Sequence, residues 1–289
     1  MKLYYYQKTC GNFGDDLNLW LWKNLFPDAF DEDDKKVFFG IGTIINDRIY
    51  DRAPNADRII IFSSGVGYGK TPLQNLPTIN DRWKVYCLRG PLSAHALGVS
   101  PDLAITDGAV LIRRLFKPQT KIEKKQKFAY MPHVDQAVKH GEIWQKICQQ
   151  AGYGYIDPRW TREEVLNALC QTETLITEAM HGAIVADALR VPWIPVKTSS
   201  SIFEFKWWDW CKSLDLEYTP RQMSELPSRK SVPSKIKKFI ISKKIVKELK
   251  DIAESSAPIL SNEVKIEQLT TRLEEKVESF RKDMFAGSF

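Results

Sequence analysis

The stretch TLITEAMHGAIVADALRVPWIPV, residues 174–196, decides the fold class. It opens on Thr174-Leu175-Ile176-Thr177, a short apolar, β-prone run with the pattern of a buried strand. Glu178 and His181 follow, and Gly182 marks a tight start to a helix. Ile184, Val185, Ala188 and Leu189 then share one apolar helical face. Pro192 and Pro195 close the helix, and Trp193 to Val196 begin a second strand. Strand, loop, helix and strand in this order make a βαβ unit, which predicts an α/β fold with a parallel sheet.

The unit also locates chemistry. Ligands of open α/β sheets bind beyond the carboxyl ends of the strands, where Glu178 and His181 fall. The first N–H groups of the helix after Gly182 lack internal partners and favour an anion. A histidine there binds a phosphate, donates a proton, or simply hydrogen-bonds a neighbouring loop.

Working toward the N-terminus, the same arrangement recurs. Lys2 to Tyr6 reads as a first strand, and Cys10-Gly11-Asn12-Phe13-Gly14-Asp15-Asp16 as a glycine loop opening a helix with Leu17, Trp20, Leu21 and Leu25 on its buried side. Asp15 and Asp16 would repel a phosphate, so they fit hydroxyl binding, a helix start or a general base. Val37 to Thr43 is a second strand, with a helix from Ile44 to Tyr50. Arg58 to Phe62 is a third, before the glycine-bearing loop 63–69. Val85 to Leu88 leads into Arg89-Gly90-Pro91, with the proline in a first helical turn. Ala104 to Thr106 leads into Asp107-Gly108. These repeats predict a Rossmann-like domain over residues 1–116.

Residues 117–127 hold five lysines and Pro118 and read as an exposed crossing. A second α/β series runs from about 125 to 225, with strands at 128–133 and 153–157 and a helix from Arg162 to Cys170. The aromatic run Phe203, Phe205, Trp207, Trp208 and Trp210 reads chiefly as packing, with one ring facing a sugar as the alternative.

Residues 229–289 differ in kind. Positions 229–250 carry nine Lys or Arg against one acid, Glu248, while the whole chain of 289 residues carries +6. The rest is therefore close to neutral, which excludes a uniformly basic nucleic-acid binder. Ile236, Phe239, Ile240, Val246 and Leu249 form a stripe beside those lysines, and Ile266, Leu269, Leu273, Val277 and Phe280 form another further on. The first stripe with its lysines suits an anionic membrane surface. No run of about 18 apolar residues predicts a membrane span, and Met1 to Asp16 has no signal-peptide core, so a cytoplasmic location is expected. The five cysteines form no CxxC pair, which argues against a disulfide framework or zinc site and for small buried hydrophobes. His133 with Asp135 is a weak pair for a metal, and no metal site is expected.

Seven segments together resemble the polysaccharide pyruvyl transferase family, in its exopolysaccharide branch. They are GNFGDDLN (11–18), FGIGTIIN (39–46), SSGVGYG (63–69), LRGPLSAHALG (88–98), TDGAVL (106–111), MPHVDQ (131–136) and TEAMHGAIVADALRVPWIPV (177–196). They occur in the family's order across roughly residues 1–215. Ala179 stands where other branches carry Arg two residues before the histidine, so an arginine-to-donor contact from that position is either missing or supplied by another residue, such as Arg89 or Arg159.

The resemblance implies two Rossmann-like domains facing a cleft, as in GT-B enzymes, and a pyruvate ketal made on a sugar with two free hydroxyls, often lipid-linked. Phosphoenolpyruvate would be the co-substrate, with no other cofactor. In that chemistry a general acid must protonate the donor's methylene carbon, and His181 is the candidate. Asp15, Asp16 and Glu178 qualify as acceptors of the sugar's hydroxyl proton. Arg89, Gly90, Gly182, Ser64, Gly65 and Arg159 are assigned to the donor's phosphate and carboxylate. Asn12, Gly42, Asp107, His133 and Asp135 are assigned to the acceptor. Two other readings stand beside this one: a nucleotide-sugar glycosyltransferase of the same fold, with Asp187 on ribose hydroxyls, and a non-enzymatic sugar-binding module held at a membrane.

Overall fold

The computed structural model describes residues 1–70, 73–117, 123–227 and 235–289, with side chains between 235 and 239 left aside. The first half runs β1 (Lys2–Tyr4), α1 (Phe13–Leu25), β2 (Lys36–Phe39), β3 (Thr43–Ile45), α2 (Ile49–Arg52), β4 (Arg58–Phe62), β5 (Gly65–Val66), β6 (Trp83–Cys87), α3 (Pro91–Leu97) and α4 (Ile112–Leu115). The second runs β7 (Gln126–Met131), α5 (Val134–Ala151), β8 (Gly154–Tyr155), α6 (Arg162–Cys170), β9 (Thr172–Thr177), α7 (Met180–Ala188), β10 (Trp193–Lys197), α8 (Phe205–Ser213) and β11 (Arg221–Gln222). Helices α9 (Lys235–Ser255) and α10 (Glu263–Phe285) follow.

Among the described residues the strands form two parallel sheets. One has the order β1-β2-β4-β6 and the other β11-β10-β9-β7-β8, with a small parallel pair β3-β5 beside the first. The central strands are continuous apolar runs, as strands covered on both faces must be: Ile59 to Phe62 are wholly buried. The quoted βαβ stretch is β9-α7-β10, paired in parallel from Leu175↔Trp193 to Thr177↔Pro195.

Two local expectations change. The segment expected to be helical from Ile44 is strand β3 first, and the helix is only Ile49–Arg52. Asn46 delays it: its side-chain oxygen accepts from Arg48 N–H and its carbonyl from Ile49 N–H, a turn that competes with a helix. The strand expected over 153–157 shrinks to Gly154–Tyr155, because the Asp157 carboxylate turns back to accept from Arg159 N–H.

One apolar cluster runs from Phe38 and Phe62 on the first sheet, through Val110 and Leu111, to Leu175 on the second and Val185 on α7. The last helix belongs to that cluster. Ile266, Leu269, Leu273, Val277 and Phe280 of α10 are buried, and the Phe280 ring lies 4.3 Å from Phe26 and 5.4 Å from Phe38. The Tyr86 hydroxyl donates to Asp283 at 2.5 Å, and Arg114 Nε pairs with Glu274 at 3.0 Å. The stripe of α9 is divided: Leu249, with Ile245 and Ile252, is buried in the cluster of the second sheet, whereas Ile240 is exposed. Ile236 and Phe239 lie outside the described side chains, and residues 229–234 of the basic segment outside the described residues. Residues 118–122 of the lysine-rich crossing do as well. All five cysteines are free: Cys87, Cys148 and Cys211 are buried, Cys170 partly so, and Cys10 is exposed rather than core.

Candidate active site

Loops following β1, β2, β7 and β9 converge on one cleft of about 430 Å³. The starts of α1, α5 and α7 all line it, through Asn12 to Asp15, His133 to Asp135, and Ala179 to Gly182. Three helix starts turn their partial positive charge toward one volume, which therefore suits an anion, although Phe13 N–H is taken by the Pro158 carbonyl and Asp135 N–H by His133. Lys8, Arg48, Arg52 and Lys206 add four cationic side chains to its wall, against Asp15 and Asp135. Lys8 is partly neutralised by Asp135 at 2.7 Å, and Lys206 donates to the Tyr68 hydroxyl at 2.9 Å.

His181 stands in the first turn of α7 with its side chain 13% exposed. Its ring packs directly on the backbone of α1, where a Cβ on Gly14 would overlap the imidazole. Gly182 likewise leaves no room for a side chain against Met131 of β7, so α7 starts close to the sheet. Behind the ring, Asp107 Oδ2 lies 3.8 Å from His181 Nε2. Both atoms are buried without a hydrogen-bond partner, while Asp107 Oδ1 accepts from Ala109 N–H at 3.0 Å. Asp107 is wholly buried and does not line the cleft, so in place of the expected contact with an acceptor it stands behind the histidine. The 3.8 Å gap is too long for a hydrogen bond, so the carboxylate faces the ring edge without holding it.

Asp15 lines the same cleft, and its Oδ2 accepts from Asn12 Nδ2 at 2.5 Å. Burial pushes its carboxyl up, against the opposing pull of His181 and the Asn12 bond. A carboxyl whose affinity for a proton is raised is a better base. Asn18, one turn on, fixes this helix start by donating to the carbonyls of Asp15 and Ile41, both at 3.0 Å. His133 caps α5, with Nδ1 accepting from Asp135 N–H at 3.3 Å, which leaves its proton on Nε2. Burial, then the charge of Lys206, pushes His133 down to about 4, against the pull of Asp135, so it is neutral near pH 7.

Other assigned residues lie elsewhere. Arg89 is wholly buried: its Nε donates to Asp209 at 2.9 Å and its Nη1 to the Thr43 hydroxyl at 2.6 Å. Gly65 is pressed against that guanidinium, and Gly90 against the Asp209 backbone. The helix start after Gly90 already holds an anion, because Ser93 N–H donates to Asp209 Oδ1 at 2.9 Å. The hydroxyl of Ser64 is bonded to the Gly40 carbonyl. Arg159 grips Asp157 with two bonds of 2.8 and 2.6 Å and lines a separate cavity behind α5. Glu178 is buried; Thr198 donates to it through both N–H and hydroxyl, and His133 N–H at 3.4 Å. Burial pushes its carboxyl up. It ties the ends of β9 and β10 to His133, beneath the cleft floor. Asp16 is exposed and accepts from Asn12 N–H at 2.8 Å. Gly42, by contrast, lines the cleft, with φ of 131°. Among the described residues no group of three or more His, Cys, Asp or Glu is placed to hold a metal ion.

The sequence profile of the polysaccharide pyruvyl transferase family matches residues 4–200. The chain belongs to the polysaccharide pyruvyl transferase family. It is also 41% identical over 225 residues to the succinoglycan biosynthesis protein ExoV of Rhizobium meliloti (strain 1021), covering 77% of this chain and 68% of that protein.

For a polysaccharide pyruvyl transferase, the cleft's position gives the family match a physical meaning. Every cleft residue named above lies within residues 4–200 except Lys206. Sequence reasoning had not assigned Lys206, Lys8, Arg48, Arg52 or Tyr68. Lys206 was hidden in an aromatic run, although a lysine flanked by Phe205 and Trp207 is itself a signal of an enclosed charge. Asp187, the ribose-binding residue of the glycosyltransferase reading, is buried and accepts from Trp193 Nε1 at 3.0 Å and Ser261 N–H at 2.9 Å.

Proposed function

We propose that the chain transfers the pyruvate unit of phosphoenolpyruvate to two hydroxyls of a sugar, forming a ketal in exopolysaccharide biosynthesis. The observation that carries this reading is the pairing of His181, backed by Asp107, with a cleft of three helix starts and four cations. A small trianionic donor needs such a volume, and its methylene carbon needs one strong proton donor.

Imidazolium His181 gives its proton to the donor's methylene, leaving positive charge on the adjacent carbon. The first sugar hydroxyl attacks that carbon while Asp15 takes its proton. The C–O bond to phosphate then breaks, and the second hydroxyl attacks. Of the two hydroxyl protons, one restores the imidazolium and the other departs with phosphate. Asp107 faces the charge on His181 through the first step, and Lys206 and the helix starts hold the anionic groups. Two Rossmann-like domains of GT-B type, each supplying one wall of the cleft, are the architecture this reading entails.

Calorimetric titration tests the donor. Phosphoenolpyruvate should bind the full chain, while uridine and guanosine nucleotide sugars should not; the reverse result refutes the reading.

A lipid-linked acceptor would place the enzyme at the cytoplasmic face of a membrane. Among the described residues no helix is long and apolar enough to cross one. Lys244, Lys247 and Lys250 on α9 are exposed beside Ile240, and they would serve as a peripheral contact. Sedimentation should show binding to anionic liposomes that fades as salt rises. Equal pelleting with neutral lipid would remove the electrostatic contact.

A further inference from the structure

Three consecutive residues beside the cleft have left-handed backbone: φ is 141° at Gly67, 57° at Tyr68 and 84° at Gly69. The glycines adopt this freely, but a bulky aromatic residue does so only when its surroundings impose it. Here they do. Asn46 Nδ2 donates to the Gly67 carbonyl at 2.8 Å, Gly67 N–H donates to the Ile45 carbonyl at 3.1 Å, and Lys70 N–H reaches the Asp47 carboxylate at 3.3 Å. Strain kept this way marks a residue whose placement matters more than its local energy.

The loop delivers a phenol ring to the cleft wall. Tyr68 lines the cleft, remains 40% exposed, and is backed by the Phe203 ring at 5.1 Å and 38°. Its hydroxyl accepts from Lys206, one of the cations assigned to the donor. The ring is thereby fixed next to the anion-binding wall while part of it faces solvent-filled space.

We infer that Tyr68 is the platform on which a pyranose ring of the acceptor stacks. This rests on the pyruvyl-transfer reading and adds how the acceptor is held. A pyranose presents an apolar C–H face and a hydroxylated edge. An aromatic face takes the first without competing for the second, so both reacting hydroxyls stay free. The bond to Lys206 sets the distance between that edge and the donor.

The test uses the full chain and methyl glycosides of glucose, galactose and mannose as probes, by saturation-transfer NMR. The wild type should transfer magnetisation to the ring C–H protons of at least one glycoside. Tyr68→Gly suits the φ of 57° and removes the ring; it should lose that signal at least fivefold at unchanged melting temperature. Tyr68→Phe should keep it. Phosphoenolpyruvate affinity should fall no further in Tyr68→Gly than in Tyr68→Phe, because both variants release Lys206. The platform is overturned if no glycoside responds in the wild type or if Tyr68→Gly responds equally. It is also overturned if Tyr68→Phe loses as much as Tyr68→Gly, which would place the role in the hydroxyl. If the wild type ignores phosphoenolpyruvate but the glycoside signal still depends on the Tyr68 ring, the pyruvyl-transfer reading fails and the platform stands.

Discussion

If the chain carries out the proposed pyruvyl transfer, His181→Gln should lower turnover with phosphoenolpyruvate by about 10²–10⁴, the loss typical of a general acid. Glutamine keeps the length and a donor N–H but has no proton to deliver near neutral pH. The melting temperature should change little, because His181 Nε2 has no hydrogen-bond partner to lose and the glutamine amide N–H can face the buried Asp107 carboxylate in place of the imidazole. Donor affinity should survive in large part, since the helix starts and Lys206 do not depend on the imidazole. The same variant separates His181 from the other cleft histidine. His133 is neutral near pH 7 and uses Nδ1 to accept from Asp135 N–H. It is a poor proton donor until the pH approaches 4, or until a bound anion favours its charged form. Near-normal turnover in His181→Gln, measured by phosphate release, would move the acid's role to His133.

The units that build the sheets were legible because periodicity is local. β9-α7-β10 follows from 23 residues whose apolar pattern changes period twice, and His181 followed from its place after β9. Partners distant in sequence were not legible. Arg89 after a strand, next to Gly90, has the local signature of an anion-binding residue, but its carboxylate is Asp209, 120 positions away. Glu178 beside His181 reads as a base until Thr198 is seen to occupy it. Asp107 reads as a loop acid until it is found 3.8 Å behind the imidazole. The stripe of α10 was visible as a stripe, but nothing in residues 263–285 says that Phe280 meets Phe26 and Phe38. Charged residues in loops were thus over-read as ligand contacts. The cations that line the cleft, Lys206 above all, were under-read, because packing residues surround them in sequence.

That asymmetry gives a sharp expectation for Asp209. It accepts from Arg89 Nε at 2.9 Å, Ser93 N–H at 2.9 Å and the Ser93 hydroxyl at 2.5 Å, and both ionic partners have no exposed surface. Removing one member of a buried pair leaves the other charge uncompensated, at about 3–5 kcal/mol. Asp209→Ala should therefore lower the melting temperature by on the order of 10 °C. Arg89→Met combined with Asp209→Leu should recover much of the loss, because replacing both charges with apolar groups is often close to neutral. Function should follow the same geometry. Lys206 lies one turn before Asp209 on α8, and Arg89 also holds Thr43 of the cleft wall, so the pair positions both. Asp209→Ala, assayed well below its melting point, should weaken phosphoenolpyruvate binding although Asp209 itself is buried away from the cleft. Arg89→Lys discriminates further. Lysine cannot make both the Asp209 and Thr43 bonds, so a positioning role predicts that stability and donor affinity fall together. A loss of donor affinity at unchanged melting temperature would instead return Arg89 to direct contact with the donor.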